Sequence, residues 1–246
     1  MSTEFSVIVD DFHSALRPLN EIVQNGHSEQ ATTLARVASV NAATLLLAAT
    51  FEEFVRQMAR QFAIQVVTGA SSIDYVPDFL LETAWRRTFH VLNHSNRSDG
   101  VSKKDALRIS AKRARPTIEA LCNFIEGDIN QDVFENLIHN ENGIGFEEIN
   151  KLFKVGGVSN ICIEICKNET LRAFFEIDDE KATHAALLSA LKEFFERRNQ
   201  IAHSLNSKNS ASPEQILRDI CMFVALASDL GRTLEVKIAE KQPARP

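Results

Sequence analysis

The stretch LLSALKEFFERRNQIAHSLN, residues 187–206, puts an arginine where a helix seam should be apolar. Steps of three and four from Leu187 reach Leu191, Phe194, Arg198, Ile201 and Leu205. That spacing is one stripe of a helix, and Arg198 is its only polar member. His203 follows five residues later, about 140° further round the helix, and Asn199 shares the face of His203 at a spacing of four. A guanidinium is a permanent cation with a rigid fork of donors, and an imidazole exchanges a proton near neutral pH. Geometry alone leaves two readings open. Either Arg198 pairs with a carboxylate from another helix and His203 is an ordinary polar residue, or the arginine curls to set its fork beside the imidazole, an electrostatic clamp next to a proton carrier.

Other candidates are fewer. Glu52 and Glu53 interrupt an apolar run in TFEEFV, so one of them braces Arg198 or His203 across the fold, or both form an exposed acidic step. Arg56, four after Glu52, makes an ordinary i,i+4 pair. His90 and His94 have a spacing that suits zinc, but no third ligand is evident, so no metal is expected; their place in a window rich in Arg and Lys, residues 86–115, makes contact with a phosphate-bearing polymer the better use for them. His13, His27, His139 and His184 have no partner pattern. Cys122, Cys162, Cys166 and Cys221 form no CxxC and read as reduced core thiols of a cytoplasmic protein.

The elements that must position these residues all have helical period. FSVIVDDFHSALRPLNEIV sets Phe5, Val9, Phe12, Leu16, Leu19 and Val23 on one stripe, with Pro18 a possible kink. Gly26 should stop that helix and Ser28 cap the next, a run of about 40 residues to Gly69 that is apolar nearly all round in its middle, as a buried central helix is. A helix pair follows, DFLLETAWRRTFHVLN and SKKDALRISAKRARPTIEALCNFIEG, the second open to division at Pro116. Short helices joined by turns around Gly143, Gly145, Gly156 and Gly157 come next. The seam helix spans about 180–205. The last helix has Ser212 as N-cap and Pro213 in first position. The fold class is therefore all-α, a helical bundle of long antiparallel helices.

Nine glycines and six prolines are too few for a turn-rich β-sandwich or barrel. The apolar run VASVNAATLLLAATF is short for a bilayer, and the N-terminus has no basic region of a secretory signal, so no membrane partner is expected. Net charge is −6, mildly against a protein that coats nucleic acid. Its distribution says more. Residues 86–115 hold nine basic side chains, Arg108, Lys112, Arg113 and Arg115 among them, against Asp99 and Asp105; the window is +7 and the remainder −13. A segregated basic face suits a phosphate-bearing partner, or is a solvated helix surface.

The sequence RNQIAH, Arg198 to His203, resembles the R-x4-H signature of the HEPN (higher eukaryotes and prokaryotes nucleotide-binding) superfamily, in whose ribonucleases a polar residue such as Asn199 follows the arginine. LFKVGGVSNI and RNQIAHS look like its RiboL-PSP-HEPN branch or a related MAE-like branch, both bacterial and common in defence loci, and ATFEEFVRQMARQF is similar to the helix that opens such domains. The likeness covers about residues 40–235. It divides the chain into an N-terminal helix (1–26), a HEPN-like all-α domain (27–240) and a fraying tail (241–246).

The resemblance implies a homodimer in which two motifs face one another and cleave RNA without metal or cofactor, by attack of the ribose 2′-hydroxyl on the adjacent phosphate. Arg198 would meet the charge building on phosphate oxygens, His203 would carry the proton, and Asn199 would orient imidazole or ribose. Glu52 and Glu53 are the supporting candidates, and Arg108, Lys112, Arg113 and Arg115 the RNA-binding ones. Such proteins act as toxins or anti-phage effectors restrained by an antitoxin or another protein. Two further readings stay open, a non-catalytic domain that holds RNA or nucleotide, and the partner of a nucleotidyltransferase antitoxin. The latter type extends its motif to R-x4-H-x-Tyr, whereas position 205 here is Leu and Tyr75 is far off.

Overall fold

In the computed structural model, which describes residues 3–26, 28, 31–94, 102–138, 145–203 and 211–241, every regular element is helical. The chain runs α1 (Glu4–Gly26), α2 (Thr33–Thr68), a 3-10 turn (Ile73–Tyr75), α3 (Asp78–His94), α4 (Lys103–Ile125), α5 (Phe134–Leu137), α6 (Phe146–Lys154), α7 (Ile161–Ile165), α8 (Glu169–Phe175), α9 (Glu180–His203) and α10 (Pro213–Lys241). Residues 204–210 and 242–246, with Leu205 of the seam and nearly all of the expected tail, lie outside the described residues.

The core forms where the apolar stripes meet. Phe5, Val9, Phe12, Leu16, Leu19 and Val23 are the buried face of α1, and they pack on α2 and α10 inside the same core as the rest of the chain. α2 is buried on several faces along its 36 residues. An 18-residue window of it is apolar enough to cross a membrane by length and composition, more than the shorter run read from sequence; yet Val40, Leu47, Phe51 and Phe54 are consumed by the core. Aromatic rings tie the long helices together. Phe12 stacks on Phe54 at 4.4 Å, Phe51 meets Phe223 at 4.4 Å, and Phe194 sets its edge on Phe223 at 4.8 Å, linking α1, α2, α9 and α10.

Two helix boundaries differ from the sequence expectation. α2 is capped by Thr32, whose hydroxyl accepts from the Ala35 amide, while the Ser28 carbonyl accepts from the Ala31 amide and from Arg36. α4 runs unbroken through Pro116. A proline there removes one hydrogen bond, to the carbonyl of Lys112. Both residues are exposed, so water can take that carbonyl and the helix persists. At the other end, Ser212 caps α10 through the Gln215 amide and Pro213 opens the helix, as its missing N–H allows.

The short helices close one side of the bundle. The turn after α6 needs Gly157 at φ +90° and brings Gly156 so close to Phe62 that a Cβ would lie 2.4 Å from its ring. α8 has no side-chain cap of its own. The fully buried Asp229 of α10 accepts from the Leu171 amide at 2.8 Å instead, using a carboxylate from another helix to satisfy the first turn.

Candidate functional site

α9 leaves the core as it approaches its C-terminus. Leu187, Leu191 and Phe194 are fully buried, Arg198 and Ile201 are half-buried, and His203, the last helical residue, is exposed. The seam therefore changes character where Arg198 stands. Its aliphatic stem covers the edge of the apolar stripe and its head reaches the surface.

Across that edge lies α2. Arg198 Nη2 donates to Glu52 Oε1 at 3.3 Å, and Arg198 Nη1 donates to Asn199 Oδ1 at 3.0 Å. Glu52 is buried, and its other oxygen accepts from Arg56 Nη2 at 3.4 Å. One carboxylate taken out of water is thus shared by two guanidinium groups. Glu53 points outward and is bonded to Arg56 and Gln57. Of the two acids expected to brace the motif, Glu52 meets Arg198 and Glu53 supports it only through Arg56. His203 has no hydrogen-bond partner among the described residues. An arginine carries five N–H donors, and the bonds above leave some of Arg198's for an incoming anionic oxygen. The geometry matches the first sequence reading in that the cation is paired with a carboxylate from another helix, and its fork is turned to Glu52 and Asn199; His203 follows five residues later, about 140° further round the helix.

The surroundings of this edge are unequal. Along α2, Ala38, Ala42, Leu45 and Ala49 are exposed on the face that leads into Glu52 and Arg56, a smooth apolar strip ending at the ion pair. On the other side, Asn199 borders a groove of about 610 Å³ walled by Phe146, Leu188 and Phe195 and rimmed by Glu147, Glu148 and Glu196. That rim is hostile to a polyanion.

Sequence reasoning missed a second buried pair one residue before the motif. Arg197 Nη2 meets Asp219 Oδ2 at 2.5 Å, and Gln215 donates to Asp219 Oδ1 at 2.9 Å. Burial pushes the Asp219 carboxyl up, and the Gln215 and Arg197 hydrogen bonds oppose the shift only in part. This pair fastens the end of α9 to α10. The available signal was an aspartate on the apolar stripe of EQILRDICMF, residues 214–223, between Ile216 and Phe223.

The basic candidates lie elsewhere. Arg108, Lys112, Arg113 and Arg115 are exposed on α4, which packs mainly on α3, away from the α2–α9 edge. Helical geometry puts Arg108, Lys112 and Arg115 on one outward face and turns Arg113 about 130° from it. Arg108 makes an exposed pair with Asp105 at 3.3 Å. His90 is exposed on α3, and the side chain of His94 lies outside the described residues. Among the described residues no three His, Cys, Asp or Glu side chains converge as a metal ligand set. All four cysteines are free thiols; burial pushes Cys166 up to about 11 and Cys162 further, which makes both poor nucleophiles.

No curated protein and no solved structure matches the chain. Residues 10–236 match the family model of RiboL-PSP-HEPN, a span that includes most of α1 and all of the α2–α9 edge. An all-α bundle with Arg198 and His203 at the open end of its penultimate long helix is thus a member of the RiboL-PSP-HEPN family.

Proposed function

We propose that the protein is a metal-independent endoribonuclease whose cleavage centre forms when two copies bring their α9 ends together. The observation that carries the reading is the contrast within one helical turn and a half: Arg198 is held by the buried Glu52, while His203 is exposed and unengaged among the described residues. A fixed cation and a free proton carrier on the same helix end suit phosphate transesterification. His203 takes the proton of a ribose 2′-hydroxyl, the oxygen attacks the adjacent phosphorus, and the bond from phosphorus to the 5′-oxygen breaks. The departing oxygen receives a proton from the imidazole of the second copy, and a 2′,3′-cyclic phosphate remains. Arg198 stabilises the extra negative charge on the phosphate oxygens, with Asn199 orienting its fork. The apolar strip from Ala38 to Ala49 supports pairing of two copies next to this edge.

In a cell such an activity has to be restrained, so a toxin or anti-phage effector of the cytoplasm, held by an antitoxin or another protein, is the setting that fits. The test is cleavage of a mixed-sequence RNA by purified protein in EDTA. Wild type should cut and leave 2′,3′-cyclic ends visible by mass spectrometry. Arg198→Ala should lower the rate roughly 10²–10³-fold, and His203→Ala about 10²-fold or more. A wild type that neither cuts RNA nor arrests bacterial growth in the absence of any restraining protein removes the enzyme reading and leaves an RNA-holding domain.

A further inference from the structure

α4 is built unlike every other long helix in the fold. Over positions 103–120 not one side chain is buried, and only Leu121 and Phe124 enter the core. Its seam toward α3 consists of small residues, Ala106, Ser110, Ala114 and Thr117. A helix held out of the core for roughly 27 Å contributes little burial, so another role has to account for it. On its outward face Lys104, Arg108, Lys112 and Arg115 follow one another at steps of four, four and three, a cationic row about 16 Å long. Lys104, Lys112 and Arg115 have no ion-pair partner among the described residues, and the Arg108–Asp105 pair is open to solvent and salt. The helix against which α4 packs, α3, exposes Trp85 and Phe89, 47% and 39% accessible, with ring centroids 4.7 Å apart.

From these features we infer that the α3–α4 arm is a binding site for single-stranded RNA, separate from the Arg198–His203 edge: the row tracks successive phosphates and the Trp85–Phe89 pair stacks a base. The inference rests on RNA as the polymer proposed above, and not on its cleavage. A row of like charges at phosphate-like spacing suits a strand better than a protein surface. The outward face of α4 has no large apolar residue among its cations to form the dry centre a protein interface needs, since Leu107 and Ile109 flank it at about 100° on either side. With +7 in the 86–115 window and −13 on the rest of the chain, the net field favours first approach of a polyanion at the arm. Aromatic stacking requires unpaired bases, which selects a single strand over a duplex.

Trp85 is the only tryptophan in the chain, so its emission reports this site alone. The test titrates a fluorescein-labelled 12-residue oligouridylate into full-length protein carrying Arg198→Ala and His203→Ala, which silences any cleavage, and reads anisotropy and Trp85 emission together. Binding should quench Trp85. Adding Lys112→Ala and Arg115→Ala should weaken affinity about 25-fold at 0.1 M salt and flatten the log–log salt slope by about 1.4, two phosphates' worth for a single strand. Phe89→Ala should weaken it roughly tenfold. Unchanged affinity in the Lys112/Arg115 variant, or binding without quenching, overturns the inference. So does a variant that changes the sedimenting mass and not the RNA affinity, which would make the row a contact between copies. A wild type that fails to cleave while this binding holds sinks the nuclease reading alone.

Discussion

The sharpest consequence of the α2–α9 edge concerns Glu52. Its carboxylate lies 3.3 Å from Arg198 and 3.4 Å from Arg56, with 10% of its side chain exposed against 29% and 21% for the arginines. At an effective dielectric near 20 each contact is worth about 5 kcal/mol in gross attraction, most of it spent on desolvating the three groups. Exposed pairs retain up to ~1 kcal/mol and breaking a fully buried pair costs about 3–5 kcal/mol. An edge of intermediate burial should therefore lose roughly 1–2 kcal/mol when Glu52→Gln keeps the shape and removes the charge. Two guanidinium groups then face one amide, and Arg198 is no longer held. Cleavage should fall about tenfold in kcat, since Glu52 positions Arg198 and does not itself touch RNA, with little change in KM. Urea unfolding and single-turnover kinetics of Glu52→Gln, Arg198→Gln and the double variant form the necessary cycle. The two sites should couple by about 1 kcal/mol in stability, and Glu52→Gln should have no further effect on rate once Arg198 is absent. Additive effects on both stability and rate would refute the positioning role, and Glu53→Gln serves as the contrasting variant, expected to be nearly silent.

Three other outcomes follow from the packing. Asp219→Ala leaves Arg197 half-buried without its carboxylate and should cost about 3 kcal/mol in urea unfolding, more than any exposed pair. Phe51→Ala empties the meeting point of rings from α1, α9 and α10 and should cost about 3–5 kcal/mol, read as a fall in thermal midpoint. The Lys167 hydrogen bond, joined by that of Lys237, holds the Glu164 carboxyl below its usual value of 4.5. A depressed carboxyl gives stability that is complete above the unfolded value and fades as pH falls through the folded one. Between pH 5 and pH 3 the wild type should thus lose slightly more stability than Glu164→Gln, by a fraction of ~1 kcal/mol because the Lys167 and Glu164 pair is partly open to solvent.

How the site arose from the sequence differs from residue to residue. Arg198 was conspicuous because a charge broke an otherwise apolar period, and Asn199 and His203 followed from counting along the same helix. The start of α10 was equally legible, since Ser212 and Pro213 act on amides within three residues of themselves. Ser28 was a sound cap by type, yet Thr32 does the capping, because which of several nearby hydroxyls is used depends on where α2 meets α1 and α10. Pro116 signalled a break that solvent made unnecessary.

What the one-dimensional pattern determined is whatever repeats at helical period: the α1 stripe, the buried middle of α2, the seam of α9, the all-α class and the segregation of basic charge into 86–115. What only the tertiary structure decided is which groups 22 or 146 positions apart face one another. Glu52 and Glu53 are adjacent and chemically alike, and a rotation of about 100° between them sends one carboxylate into the Arg198 edge and the other into water. Periodicity reports the direction of a side chain relative to its own helix axis. The direction of that axis relative to every other is set by packing, and the charge partners are set with it.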